Sequence, residues 1–300
     1  MIRKPIIFTL ILALFLLLTF PVWRWLWGEW WNNDYYSHGI LILLVSLYLA
    51  WRTFERREKV ATVVTVVTTS VVLGGPQRLK SLLRGGERGE NGGLFLLLCS
   101  LLAFLYFSAD KAYYLAALAM ILMLAGLLWS FGGTKSVREV AFPLAYLVLM
   151  VPLPFVERAT LPLSLWTGTC SGYLVRWLGL DVTVKGAAVT LPNTELVIGA
   201  QCSGINSIMA LTALTVLVAY LLEGPWWGRV ALVALAIPLA MLGNIMRVAN
   251  LLVVARYFGA DAAFTFYHDY SGFLFFALIL LLLIPISRLL QCKTLRLELL

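Results

Sequence analysis

The sequence predicts an all-α polytopic membrane protein, with about eight transmembrane helices and a small extracytoplasmic β-hairpin. Three observations support this class: the 300 residues are 61% hydrophobic, only 13% are charged, and the mean hydropathy is +0.90. A soluble domain carries about a quarter charged residues, so this surplus of apolar side chains needs lipid around it. The net charge of +8 fits an excess of basic residues in cytoplasmic loops, and we expect no nucleic-acid partner.

The N-terminal half contains five predicted transmembrane segments. They cover about residues 6–26, 39–51, 94–107, 112–131 and 140–156. The first follows Arg3 and Lys4 and also serves as a targeting signal, with no evident cleavage site after it. Residues 52–93 are basic and rich in glycine, which predicts a cytoplasmic loop between the second and third segments.

The C-terminal half continues with an ambiguous run and three further segments. Residues 161–178 could span the membrane, re-enter it or lie along its surface. Their content of Thr, Ser, Gly and one Arg favours a partly buried helix on the outer side. Residues 181–198 alternate like two strands, which predicts the extracytoplasmic hairpin. The remaining segments cover about residues 203–222, 230–254 and 270–287. Most of the 23 Lys and Arg residues then lie on one side, so we expect residues 1–300 to form one integral domain of the cytoplasmic (inner) membrane with both termini cytoplasmic.

Three polar residues lie at one depth on consecutive segments. At about 1.5 Å per helical residue, Cys202, Arg247 and His268 each lie roughly 27–30 Å from the inner end of their segment. All three are therefore expected near the extracytoplasmic boundary of the hydrocarbon. The short connections between the three segments favour lateral proximity.

These residue types suit acyl transfer. A thiol attacks as the thiolate, and a neighbouring cation, an imidazole or a helix N-terminus lowers its pKa. Arg247 can donate to a developing oxyanion, and His268 can move protons between the thiol, the leaving amine and the incoming nucleophile. Asn244 and Asn250 lie about one turn on either side of Arg247, where they could orient its guanidinium.

Five blocks of the sequence resemble the exosortase/archaeosortase family. Three of them carry the candidate groups: Cys202-Ser-Gly-Ile205, Asn244-Ile-Met-Arg247 and His268-Asp-Tyr-Ser-Gly272. Two lie in the N-terminal half: Tyr36-Ser-His-Gly39, and Pro143 through Met150-Val-Pro-Leu-Pro154. The blocks occur in order over most of the chain, and the basic stretch 52–93 departs from the family pattern.

The resemblance implies a membrane-embedded cysteine protease or transpeptidase without a metal or organic cofactor. Its partners would be the lipid bilayer and exported proteins that end in a sorting signal: a motif such as PEP, an apolar span and a basic tail. By this resemblance Cys202 forms a thioester, Arg247 stabilises the oxyanion, and His268 acts as acid and base on the extracytoplasmic side. The supporting residues in or near these blocks are Asn244, Ser203, Gly204, His38, Asn250 and Asp269.

Three other interpretations stay open. Ser203 and His268 would be the working pair of an intramembrane serine protease. A transporter or lipid-handling protein would use Arg247 to bind an anion, although no internal repeat is visible. A disulfide between Cys170 and Cys202 would remove the proposed nucleophile. The four cysteines have no metal-ligand spacing.

Overall fold

A computed structural model gives the architecture of the chain. It describes residues 3–71, 90–185, 188–192, 194–197, 199, 202–263, 268–296 and 298. Of these, the backbone alone is described for residues 3–9, 58–71, 90, 194–197, 268 and 269. Contacts within the chain divide it into two compact units, and the boundary falls between Pro152 and Leu153.

The described part of the N-terminal unit is helical. Its α-helices are α1 (Arg3–Asn32), α2 (Gly39–Val71), α3 (Glu90–Ala109), α4 (Tyr113–Glu139) and α5 (Ala141–Tyr146), with 3-10 turns at Asp34–Tyr36 and Leu147–Met150. α3 and α4 pack against each other along their length. Gly126 permits this close approach, because a Cβ at that position would lie 2.8 Å from the backbone nitrogen of Leu97.

α2 continues as a helix where the sequence predicted a cytoplasmic loop. Residues 52–71 are helical, and within them Arg52 and Glu55 form an ion pair of 3.1 Å about one turn apart. Arg57 also donates to the hydroxyl of Ser136 in α4. Arg, Lys and Glu are good helix formers, so a charged run can prolong a helix beyond the bilayer as well as end a span. Most of the predicted linker 85–93 lies outside the described residues, and Glu90 already begins α3.

The fifth predicted span is broken. The sequence predicted one segment over residues 140–156, but α5 ends at Tyr146, the following 3-10 turn ends at Met150, and α6 (Pro154–Trp177) begins afterwards. Pro152 and Pro154 explain the break, because proline lacks a donor N–H and disfavours helical geometry in the residue before it. Pro154 becomes the first residue of α6, where a missing N–H costs no hydrogen bond.

The C-terminal unit combines helices with two small sheets. After α6 come α7 (Ile205–Leu221), α8 (Trp226–Phe258) and α9 (His268–Leu289). Three short strands, β1 (Thr183–Lys185), β2 (Ala188–Leu191) and β3 (Thr194–Val197), form an antiparallel sheet in that order. The predicted hairpin over residues 181–198 is therefore present with one strand more than expected. Strand β4 (Leu222–Glu223) pairs with β5 (Thr294–Leu295) near the C-terminus.

α8 is the helix against which α6, α7 and α9 all pack. The side of α6 that is buried carries mostly small residues, and the Ser171 hydroxyl donates to the carbonyl of Ile245 in α8 at 3.0 Å. Gly243 lets α9 pack closely on α8, because a Cβ at this position would lie 2.8 Å from Cγ1 of Ile279. Small residues at helix contacts let backbones approach closely, which is the common packing mode within membranes.

The chain is a multi-pass membrane protein. Among the described residues, 6 helices are long and apolar enough to cross a bilayer, and 7 if Ala141–Met150 and Pro154–Trp177 form one broken span. The predicted total of eight would also require α7, whose 17 residues reach only about 25 Å against a hydrocarbon thickness of about 30 Å. The count of eight is therefore not confirmed.

Candidate active site

Cys202 lies in a short turn between β3 and α7. Its backbone N–H donates to the carbonyl of Gly199 at 3.0 Å, and the residue is 4% exposed. Gly204 directly precedes α7 and has φ 76°, a left-handed conformation that side chains other than glycine adopt at a cost. This turn leads the chain from the sheet into α7 and buries the thiol beside the first turn of that helix.

An apolar cluster surrounds Cys202, with contributions from α6, the three-stranded sheet and α8; Val189 and Leu252 are among its fully buried members. This burial raises the pKa of the Cys202 thiol, and Arg247 opposes the rise through its charge and a hydrogen bond. The net direction is opposite to the lowered pKa that the sequence suggested, because burial penalises the charged thiolate more than one cation stabilises it. The thiol therefore needs a proton acceptor before it can attack.

Arg247 is half-buried on α8, and the hydrogen bond from its guanidinium to Cys202 brings these two predicted residues together. On another side the guanidinium lies against the backbone of α9: a Cβ added to Gly272 would be 3.3 Å from its Nη1 atom. Arg247 thus connects the start of α7 with the first turns of α9.

Asn244 holds the backbone of Cys202. This residue is 4% exposed, and its Nδ2 donates to the carbonyl of Cys202 at 2.8 Å and to Oγ1 of Thr167 in α6 at 3.3 Å. A Cβ added to Gly204 would lie 2.6 Å from Cγ of Asn244. The sequence placed Asn244 one turn before Arg247 and suggested that it orients the guanidinium. Its partners instead belong to two other elements, which spacing along α8 does not reveal.

Two further predicted residues make local contacts. Ser203 is 2% exposed, and its hydroxyl oxygen accepts the N–H of Ile205 at 3.4 Å. Asn250 is exposed, and its amide donates to the carbonyl of Met246, one turn earlier in α8, at 3.0 Å. That hydrogen bond directs the Asn250 donor along its own helix and away from the role of orienting Arg247.

The two histidines take different places in the chain. His268 is the first residue of α9, and its side chain and that of Asp269 lie outside the described residues. His38 belongs to the N-terminal unit, between the 3-10 turn Asp34–Tyr36 and α2. Its ring stacks on Tyr36, with 6.2 Å between the ring centroids.

The thiol of Cys202 is free, as are the thiols of Cys99, Cys170 and Cys292. The disulfide between Cys170 and Cys202 that the sequence left open is therefore not formed. Within the part of the chain that the structure describes, no group of three or more His, Cys, Asp or Glu side chains could hold a metal ion.

A narrow cleft opens beside these groups, between α7, α8 and α9. Its lining includes Ser207 of α7, Asn244 and Arg247 of α8, and Gly272 and Phe275 of α9. The interior has room for about one water molecule. Thiol, guanidinium and cleft together offer a nucleophile, a donor for an oxyanion and a place for part of a substrate.

Residues 30–285 match the family model of the transmembrane exosortases. This match covers well over half of the chain and includes Cys202, Asn244, Arg247 and His268. No curated protein and no solved structure matches the chain.

Proposed function

We infer that this chain, which belongs to the transmembrane exosortase family, works as a cysteine peptidase or transpeptidase. Membership of the family supports a general role in processing the sorting signals of exported proteins. The observation that carries the finer proposal is the hydrogen bond between the Arg247 guanidinium and the buried Cys202 thiol. A thiol beside a fixed cation is an arrangement suited to acyl transfer.

In the proposed reaction a base takes the thiol proton, and the Cys202 sulfur attacks the carbonyl carbon of the scissile peptide bond. Arg247 donates to the oxyanion of the tetrahedral intermediate. The intermediate then expels the amine, which receives a proton, and an acyl group remains on the sulfur as a thioester. Water or an amine then attacks the thioester carbonyl. The acyl group is transferred to the oxygen or nitrogen of that nucleophile, and the sulfur takes up a proton, which restores the thiol.

His268 is the proposed base and acid of this cycle. It begins α9, one turn before Gly272, so both positions fall on the same face of that helix. Gly272 lies against Arg247. The net rise in the pKa of Cys202 makes such a proton acceptor necessary, because the resting thiol is protonated near neutral pH.

The proposed substrates are exported proteins with a C-terminal sorting signal: a proline-containing motif such as PEP, an apolar span and a basic tail. We place the protein in the cytoplasmic membrane with both termini cytoplasmic and the active site on the extracytoplasmic side. An apolar span that already lies in the bilayer would reach a cleft between helices by lateral movement.

The test is processing of a reporter that carries such a signal, in cells that express single variants. Cys202→Ala should abolish processing, whereas Cys170→Ala, which removes a thiol of α6, should retain it. Ser203→Ala should also retain processing, since this hydroxyl has no part in the proposed chemistry. Normal processing by Cys202→Ala would contradict the assignment, and loss with Ser203→Ala alone would favour the serine mechanism.

A further inference from the structure

The side-chain amide of Asn244 has one fixed orientation. Its Nδ2 faces the carbonyl of Cys202 at 2.8 Å and the Thr167 hydroxyl at 3.3 Å. A carbonyl can only accept, so the amide nitrogen has to face it, and the reversed amide would set two oxygens against each other. Gly204 packs against the same amide from another side. The amide nitrogen of Asn244 is therefore fully used by the Cys202 carbonyl and the Thr167 hydroxyl.

The oxygen end of the same amide is buried without a hydrogen-bond partner among the described residues. Buried polar groups are nearly always paired, so this acceptor calls for a donor from outside the described part of the chain. Asn244 also lines the cleft between α7, α8 and α9, whereas Thr167 and Cys202 do not. The cleft is therefore the place from which a donor for this acceptor can come: a water molecule in the free enzyme, which a ligand N–H can replace.

The remainder of the cleft suits a polypeptide backbone. Arg247 follows Asn244 by three residues on α8, so a donor group and an acceptor lie side by side on one helix face. Phe275 supplies an apolar wall of the cleft. A peptide group carries one C=O and one N–H, which match this donor and this acceptor.

We propose that the cleft, widened on binding beyond the space for one water molecule, is a subsite for one peptide group of the substrate, in which Asn244 Oδ1 accepts the substrate N–H while Arg247 donates to a carbonyl beside it. The proposal rests on the proposed function and adds to it a residue that binds substrate backbone. The ligand class is an extended polypeptide segment next to the scissile bond, irrespective of its side chains.

The test uses synthetic substrate peptides in which a single backbone N–H, outside the scissile bond, is replaced by an ester oxygen. Each ester removes one donor and leaves the side chains unchanged. For the wild-type enzyme in detergent micelles, we expect one position near the scissile bond at which the ester lowers kcat/KM about tenfold or more. Equal kcat/KM for the amide and every ester would overturn the proposal without the use of any variant.

Variants then assign the acceptor. Asn244→Ala should have equal kcat/KM for the amide and for that ester, because the acceptor is gone. Asn244→Asp keeps an acceptor oxygen and should retain the preference for the amide, although its overall rate is lower. Asn206→Ala, which removes an exposed amide of α7, is the matched control and should behave as wild type. Retention of the full preference by Asn244→Ala would assign the acceptor elsewhere and overturn the proposal.

Failure of this inference can be separated from failure of the proposed function. A thioester on Cys202, detected by mass spectrometry, supports the function whatever the ester series gives. If that thioester forms and no ester position matters, the subsite is wrong and the function stands. If no thioester forms while the substrate is still cleaved, both proposals fall.

Discussion

Cys202 is held at two points by one turn of α8: Asn244 binds its carbonyl and Arg247 binds its thiol. Both contacts place Cys202 beside the turn of α8 that carries Asn244 and Arg247, without any covalent link. Burial makes the same thiol harder to ionise, so the site combines accurate placement with a protonated resting state. The reactivity of the Cys202 thiol then depends on the positive charge of Arg247 and on a base that takes the thiol proton.

Arg247→Lys tests the contribution of the guanidinium. Lysine keeps a positive charge but loses the planar fork of donors, so the hydrogen bond to sulfur weakens and the pKa of Cys202 rises further. Alkylation of Cys202 by a small reagent should therefore need a higher pH in the variant than in wild type. Processing should fall about 100-fold or more, as when a donor to an oxyanion is lost. Unchanged pH dependence and unchanged processing would exclude Arg247 from the site.

Asn244→Asp tests the nitrogen end of the amide. An ionised aspartate cannot donate to the carbonyl of Cys202, whereas a protonated one can. Relative to wild type, kcat/KM of the variant should therefore be lowest at neutral pH and should recover as the pH falls. Asn206→Asp introduces the same charge on the exposed side of α7 and should show no such recovery. A constant ratio between variant and wild type at all pH values would mean that this donor is unimportant.

The sequence predicted part of this arrangement at the residue scale. Helical depth put Cys202 and Arg247 at one level, because rise per residue is uniform along a helix, and the short connections between segments favoured their proximity. It did not predict the contacts of Asn244 with Thr167 and Cys202, since these depend on how α6 and the turn pack on α8. The direction of the thiol pKa was also missed, because burial is a property of the folded cluster and not of local sequence.

At the scale of elements, the turn before α7 decides where Cys202 lies. Gly204 combines a left-handed backbone with close contact to Asn244, and either property disfavours any other residue. Gly179, after α6, has φ 90° but nothing within 4 Å of an added Cβ. The two glycines therefore separate backbone strain from displacement of Asn244.

Gly204→Ala and Gly179→Ala should each lower stability by roughly 1–2 kcal/mol through the strained backbone. Only Gly204→Ala should also lower kcat/KM strongly, about tenfold or more, because its methyl group pushes Asn244 away from the Cys202 carbonyl. Thermal unfolding and kinetics on the two purified variants measure the two effects separately. Equal activity of both variants would show that contact with Asn244 is not needed.

Element boundaries followed the sequence for α9 and for the start of α4, where turn residues flank the apolar run, whereas α4 continues to Glu139, beyond the predicted end at residue 131. The boundaries differed from the prediction where one residue type is compatible with two different structures. Arg52 and the basic residues after it marked the end of a span and also continued a helix. Pro152 and Pro154 were counted within one segment, although the pair ends one helix and starts another. The sequence predicted a hairpin of two strands, whereas the sheet has three. The additional strand was missed because alternation alone does not show where a strand turns back.

At the scale of the whole molecule, the three-stranded sheet precedes α7 and the turn at Gly224 follows it, so the two flank opposite ends of this helix. The proposed orientation puts the sheet outside and the turn inside. Lys185→Cys in β1 and Glu223→Cys in β4, both exposed positions, should react differently with a membrane-impermeant maleimide in intact cells. The first should label from outside, and the second only after permeabilisation. Labelling of both without permeabilisation would contradict the orientation.

Multi-pass architecture was predictable from hydropathy because lipid demands long apolar helices. The number of spans was not, since α7 is shorter than the bilayer core and residues 141–177 contain a break. The division into two units at Pro152 also depends on packing that a single sequence does not display. The family resemblance, by contrast, came from short ordered blocks and agrees with the match over residues 30–285.

The most direct test of the central claim is intact-protein mass spectrometry after an acid quench of enzyme mixed with a sorting-signal substrate. Cys202 should carry the N-terminal part of the substrate as an acyl adduct that hydroxylamine removes, and Cys202→Ala should carry none. An adduct on Ser203, or substrate cleavage by Cys202→Ala at the wild-type rate, would contradict a cysteine mechanism.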